Sequence, residues 1–179
     1  MTDDAEPTAN RTDRPGDDVG TPTGTPTDGG LEGFDLTRFF PYRLAVFAER
    51  VSLAVSQLYA DRFDLTRAEW RVIAALGANR TMAAKDVGPY STLDKMQVSR
   101  AVARLEERGL IRREEDASDR RAKILSLTPA GRSLHRRIVP LVRAREDYLL
   151  GALDPGERIL FESFVERVQA RADGLVERG

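Results

Sequence analysis

The sequence predicts a mainly α chain with one small β-hairpin, an α+β class in which longer helices flank a compact three-helix unit. Three observations predict it. Helix-start signals recur at Thr66, Asp94, Thr128 and Asp154. Apolar residues between them follow a helical period. A single pair of short extended runs, Ile111–Glu114 and Ala122–Leu127, flanks the polar stretch Glu115–Arg121, as a hairpin with a long loop would.

The elements follow in order. Residues 1–33 hold Pro7, Pro15, Pro22 and Pro26, six glycines, seven threonines and no aromatic residue. Such a segment buries too little apolar surface to offset its ordering entropy, so a disordered acidic tail is expected. Pro41 suits the first turn of a helix whose Leu44, Phe47, Val51, Ala54 and Leu58 form one stripe, expected to be buried. The next helix starts at Thr66 with Glu69 completing a capping box and Leu65 facing Trp70 as a staple; Gly77 is expected to stop it. A short helix at 83–88 should end before Pro89.

Asp94, Gln97, Leu93 and Val98 repeat the capping box and staple, opening a helix that runs to Arg108 and ends at Gly109. After the hairpin, Thr128-Pro129 caps a long helix with Leu134, Ile138, Leu141 and Tyr148 on one face, and Pro140 should kink it. Asp154-Pro155 with Glu157 opens a last helix bearing Phe161, Val165, Val168, Ala172 and Leu175. No internal repeat is visible.

Composition removes several function classes. The 179 residues include no cysteine and one histidine, His135, so disulfides, thiolate metal sites, a His-rich metal site and a cysteine redox sensor are excluded. No metal and no cofactor is expected. An enzyme is disfavoured, because there is no Gly-rich phosphate loop, no metal-ligand cluster and no Gly-x-Ser-x-Gly elbow. No apolar run nears the roughly 18 residues of a membrane span, and the N-terminus lacks the apolar core of a secretory signal. A soluble, cytoplasmic protein with no membrane partner is the expectation.

The net charge of -1 hides an asymmetry. Residues 1–33 carry eight acids and two bases, whereas residues 81–137 carry 13 bases and eight acids. A basic surplus confined to mid-chain suggests a polyanion partner, although an ordinary solvated surface gives the same count.

The helix at 95–108 sharpens that reading. On a 100° wheel Val98, Ala101, Val102 and Leu105 share one face, while Met96, Ser99, Arg100, Ala103 and Arg104 lie opposite, with Lys95 and Gln97 at the N-terminal flanks. Arg can grip guanine O6 and N7, and Gln adenine N6 and N7, in bidentate fashion. Beyond it, Arg120, Arg121 and Lys123 crowd the hairpin connection, where an arginine could enter a narrow minor groove. Three short helices and a hairpin, with the third helix basic, follow the order of a winged helix-turn-helix.

The run LDKMQVSRAVARLEERGLIRREEDASDRRAKILSLTPAGR, residues 93–132, resembles the recognition helix and wing of the MarR (multiple-antibiotic-resistance regulator) family. Gly109-Leu110, Asp119-Arg120-Arg121 and Leu127-Thr128-Pro129-Ala130-Gly131 fall in register, and the likeness extends over about residues 36–175. Pro89 and Tyr90 depart from the usual helical continuation. The resemblance implies a homodimeric regulator of transcription, most simply a repressor, in which residues 34–179 form one domain. Within it, 34–63 and 129–179 would make a helical dimerisation region and 64–128 the winged DNA-binding region. It also implies Lys95, Gln97, Ser99, Arg100 and Arg104 at the major groove and Arg120 in the minor groove, with double-stranded DNA and a second copy as partners.

Apolar stripes on the first and last two helices exceed what a winged unit can bury, which also suggests a second copy. The family commonly releases DNA on binding a small, often aromatic and anionic, effector. Tyr42, Arg43 and Trp70 are the candidates here, with competing roles for each: Trp70 as staple and core, Tyr42 and Arg43 as dimer contacts. His135 reads as a surface or interface histidine. A winged-helix module for protein or RNA partners is the competing function. The cationic outer face of 95–108 favours DNA over protein, and the absence of interleaved aromatics speaks against single-stranded RNA.

Overall fold

The computed structural model describes residues 33–115 and 123–178. A short 3-10 turn, Leu36–Arg38, leads into α1 (Phe40–Phe63), followed by α2 (Arg67–Asn79), β1 (Thr81–Ala83), α3 (Ala84–Ser91) and α4 (Lys95–Glu107). Then come β2 (Ile111–Glu115), β3 (Lys123–Leu127), α5 (Pro129–Leu150) and α6 (Pro155–Val176). Residues 1–32 and 116–122, the latter including Arg120 and Arg121, lie outside the described residues.

Local chemistry sets the helix boundaries. Capping boxes close on both sides at Thr66/Glu69, Asp94/Gln97 and Asp154/Glu157, and the Thr128 hydroxyl accepts from the Gly131 N–H. At the end of α4 the Gly109 N–H donates to the Glu106 carbonyl and the Leu110 N–H to the Leu105 carbonyl. This paired closure needs a left-handed residue, and Gly109 supplies φ +65°.

Four expectations are corrected. α2 continues through Gly77 to Asn79. Gly77 serves helix packing instead, because a Cβ there would collide with the His135 ring. α3 continues through Pro89 to Ser91. Pro89 and Lys85 are both exposed, so the Lys85 carbonyl left without its helical donor is on a stretch that water can reach. The hairpin gains a third strand, giving the antiparallel order β1-β3-β2 with Met82 opposite Leu125 and Arg113 opposite Leu125. Three residues were too few to show an alternation. Finally, the α1 stripe is not buried along its length: Leu44 and Phe47 are exposed, and only Val51, Ala54 and Leu58 are half-buried.

The core lies between α2, α4 and the sheet. Val72, Ile73, Leu76, Val87, Leu105 and Leu125 are fully enclosed, joined by Tyr59 from α1 and Ile138 from α5. Each such side chain contributes about 1.5–3 kcal/mol relative to leaving it in water. Leu134, Ile138 and Val142 carry the inward stripe of α5, while Tyr148 is exposed and Pro140 sits inside the unbroken helix. No residue of α6 is buried; Ile159, Leu160, Phe164, Val168 and Leu175 all face outward.

Candidate nucleic-acid interface

α4 is held at its root and left open at its tip. Val98, Ala101, Val102 and Leu105 pack inward, as the wheel requires. Lys95, Met96, Gln97, Ser99, Arg100 and Ala103 are exposed, Met96 by 59%. The Gln97 side-chain oxygen accepts from the Asp94 N–H at 3.2 Å, which leaves its amide nitrogen to donate outward. Among the described residues, Lys95 and Arg100 enter no ion pair. The first two turns of α4 therefore present ammonium, guanidinium, amide and hydroxyl donors with no carboxylate between them.

Arg104 is placed differently. Its Nη2 lies 3.0 Å from Asp64 Oδ2 and its Nε 3.2 Å from Glu69 Oε1. Glu69 is only 2% exposed, and its other oxygen accepts from the Thr66 N–H at 2.8 Å. One buried carboxylate thus caps α2 and grips α4. Arg108 adds bonds to the carbonyls of Asp64 (2.7 Å) and Phe63 (3.0 Å), which fastens the end of α4 to the end of α1. These bonds tie Arg104 to α2 and the end of α1, with 44% of its side chain still exposed.

The turn before α4 is fixed from α2. Arg71 Nη1 donates to the Ser91 carbonyl at 3.2 Å and to Thr92 Oγ1 at 2.7 Å, holding Thr92 in its left-handed conformation at φ +54°. Neither Arg71 nor Arg108 stands out in the sequence, because their partners are 20 or more positions away. In the wing, Lys123 Nζ lies 2.9 Å from Glu115 Oε1, its opposite residue across the β2–β3 ladder. That contact holds the Glu115 carboxyl below its usual range. Lys123 is therefore partly neutralised at the base of the loop.

Residues 63–122 match the model of the MarR family. The chain is 29% identical over 105 residues to the transcriptional regulator HosA of Escherichia coli O157:H7, an alignment spanning 59% of this chain and 78% of that one. Its fold superposes on a MarR-family transcriptional regulator from Silicibacter pomeroyi with a TM-score of 0.65, at 28% identity and covering 76% and 92% of the two chains. BpsR of Bordetella bronchiseptica, whose DNA binding is regulated by 6-hydroxynicotinic acid, superposes with a TM-score of 0.68 at 26% identity, covering 76% and 96%. Over its winged segment the chain is similar to the MarR family. That family consists of winged-helix regulators and not of enzymes.

The MarR-type body does not assemble the three effector candidates within one chain. Trp70 is half-buried and stacks on Tyr59, with ring centroids 5.6 Å apart and planes 29° apart. Burial pushes the Tyr59 phenol up, with Arg71 and Arg67 opposing. Trp70 also stacks on His135, 6.1 Å away at 21°. Tyr42 and Arg43 sit exposed in the first turns of α1, and the helical rise between Tyr42 and Tyr59 is about 25 Å. His135 is half-buried: burial first, and the Arg136 charge second, hold it below its ordinary value. Among the described residues no helix is long and apolar enough to cross a membrane.

Proposed function

We propose that this protein is a MarR-family, sequence-specific regulator of transcription, acting as a repressor that binds a pseudo-palindromic duplex operator as a homodimer. The observation that carries this reading is the exposed, carboxylate-free donor set on the first two turns of α4. Lys95, Met96, Gln97, Ser99 and Arg100 are assigned to the major groove, with Arg120 in the minor groove and Arg121 and Lys123 beside it. Arg104 is assigned to hold α4 in place.

Residues 34–63 and 129–179 are assigned to dimerisation and 64–128 to DNA. The unburied apolar faces of α1 and α6 support a second copy as the partner. They include a groove of about 610 Å³ along Phe164, Val168 and Leu175. Two-fold symmetry would set recognition helices on half-sites about 34–36 Å apart. A small aromatic or anionic effector is proposed by likeness to BpsR. A pocket combining Tyr42 and Arg43 with Trp70 would then draw the α1 residues from the second copy.

Selection of bound genomic fragments identifies the operator, and gel-shift titration of Arg100→Ala tests the assignment. The expected result is loss of specific binding by a folded dimer. Unchanged operator affinity of that variant would remove Arg100 from the groove.

A further inference from the structure

We infer that a cleft between the C-terminal end of α2, one face of the sheet and the first turns of α5 binds a compact polyanion, a small molecule with at least two phosphate or carboxylate groups. The cleft encloses about 410 Å³, within the usual range for small-molecule sites. Arg80 from the end of α2, Arg112 from β2, and Arg132 and Arg136 from α5 all line it, with Ser126 and His135 between them. No lining residue is acidic.

The side chains are pre-aimed. Arg112 and Ser126 are opposite one another in the ladder and so share a face; Arg112 Nε donates to Ser126 Oγ at 2.9 Å. Its Nη1 also lies 3.4 Å from Glu114 Oε1, an exposed pair. Arg132 Nη1 donates to the Leu127 carbonyl at 2.6 Å, leaving its other terminal nitrogen to donate elsewhere. Arg80 and Arg136 enter no ion pair among the described residues. Arg80 moreover adopts φ +62° with ψ -55°, a strained backbone for a residue that carries a side chain.

Four guanidinium groups around one cavity repel each other until an anion enters. Their planar forks match carboxylate and phosphate oxygens in pairs, which is why two anionic groups are required. The site is separate from the proposed DNA surface. None of the residues that line it belongs to α4, whose Lys95 to Arg100 carry the proposed DNA surface. His135 links it to Trp70, on which its ring stacks, but neither Trp70 nor Tyr59 lines it.

Binding of the site does not depend on the proposed operator function, so the test uses no DNA. Pyrophosphate and citrate, at constant ionic strength, are titrated calorimetrically into the full chain, into Arg80→Asn/Arg136→Gln, and into Arg100→Ala. Asparagine is more frequent than most residues at positive φ, and circular dichroism checks that each variant is folded. At least one probe should bind the parent and Arg100→Ala alike, and the double variant at least tenfold more weakly. Preference for pyrophosphate assigns the phosphate class, and preference for citrate the carboxylate class. Equal binding by parent and double variant, binding of neither probe, or loss on Arg100→Ala overturns the assignment.

Discussion

Arg104 Nε lies 3.2 Å from Glu69 Oε1, so the guanidinium on the outer flank of α4 is committed to the buried carboxylate that caps α2. Removing it strands an acceptor that water barely reaches. Arg104→Ala should lower unfolding free energy by about 1–3 kcal/mol, whereas Arg100→Ala should change it by less than about 0.5 kcal/mol. Urea denaturation of the two variants checks this, and equal losses would show that the pair does not hold α4.

Two glycines near the wing have opposite reasons for being glycine. A Cβ at Gly131 would run into the backbone carbonyl of Leu110, whereas a Cβ at Gly109 meets nothing within 4 Å but requires φ +65°. Gly131→Ala should cost about 2–3 kcal/mol and Gly109→Ala about 1–2 kcal/mol. Gly109→Asn should recover part of the second loss and Gly131→Asn none of the first. Thermal unfolding of the four variants reads the difference.

His135, packed on Trp70 and against Gly77, is held below 6.5 by burial and by Arg136. The folded chain therefore binds fewer protons than the unfolded chain once the pH drops below about 6.5, and stability falls with it. The parent should lose more stability between pH 7 and 5.5 than His135→Phe, which keeps a ring beside Trp70 without a titrating group. Parallel pH profiles for the two proteins would contradict this origin.

Arg120 belongs to the loop that the proposal sends into the minor groove. Arg120→Ala should weaken operator binding and reduce the slope of log K against log salt by about 0.9, the value for one phosphate contact. An unchanged slope excludes Arg120 from the interface.

Much of this fold is legible because its signals are local. Thr66 with Glu69, Asp94 with Gln97 and Gly109 with its two closing bonds each act within a few residues, and each falls where the sequence puts it. The inward face of α4 was readable for the same reason. The unreadable parts depend on distant partners. Gly77 looks like a stop until His135 is seen against it. Pro89 looks like a break until its exposure shows that water can replace the lost donor. The ion pairs of Arg104 with Glu69 and Asp64 join residues 35 and 40 positions apart, and β1 acquires its strand only from pairing with β3.

Arg104 and Arg108 clamp α4 near one end while its opposite end carries the exposed donors. Arg71 also fixes the turn at Thr92 before the helix, so supports at both ends aim those donors. A 5° tilt about one support displaces side chains about 20 Å away by about 1.7 Å, more than half the length of a hydrogen bond. Substitutions at Asp64, Glu69 or Phe63 could therefore retune which bases the protein prefers while every base-facing side chain stayed the same.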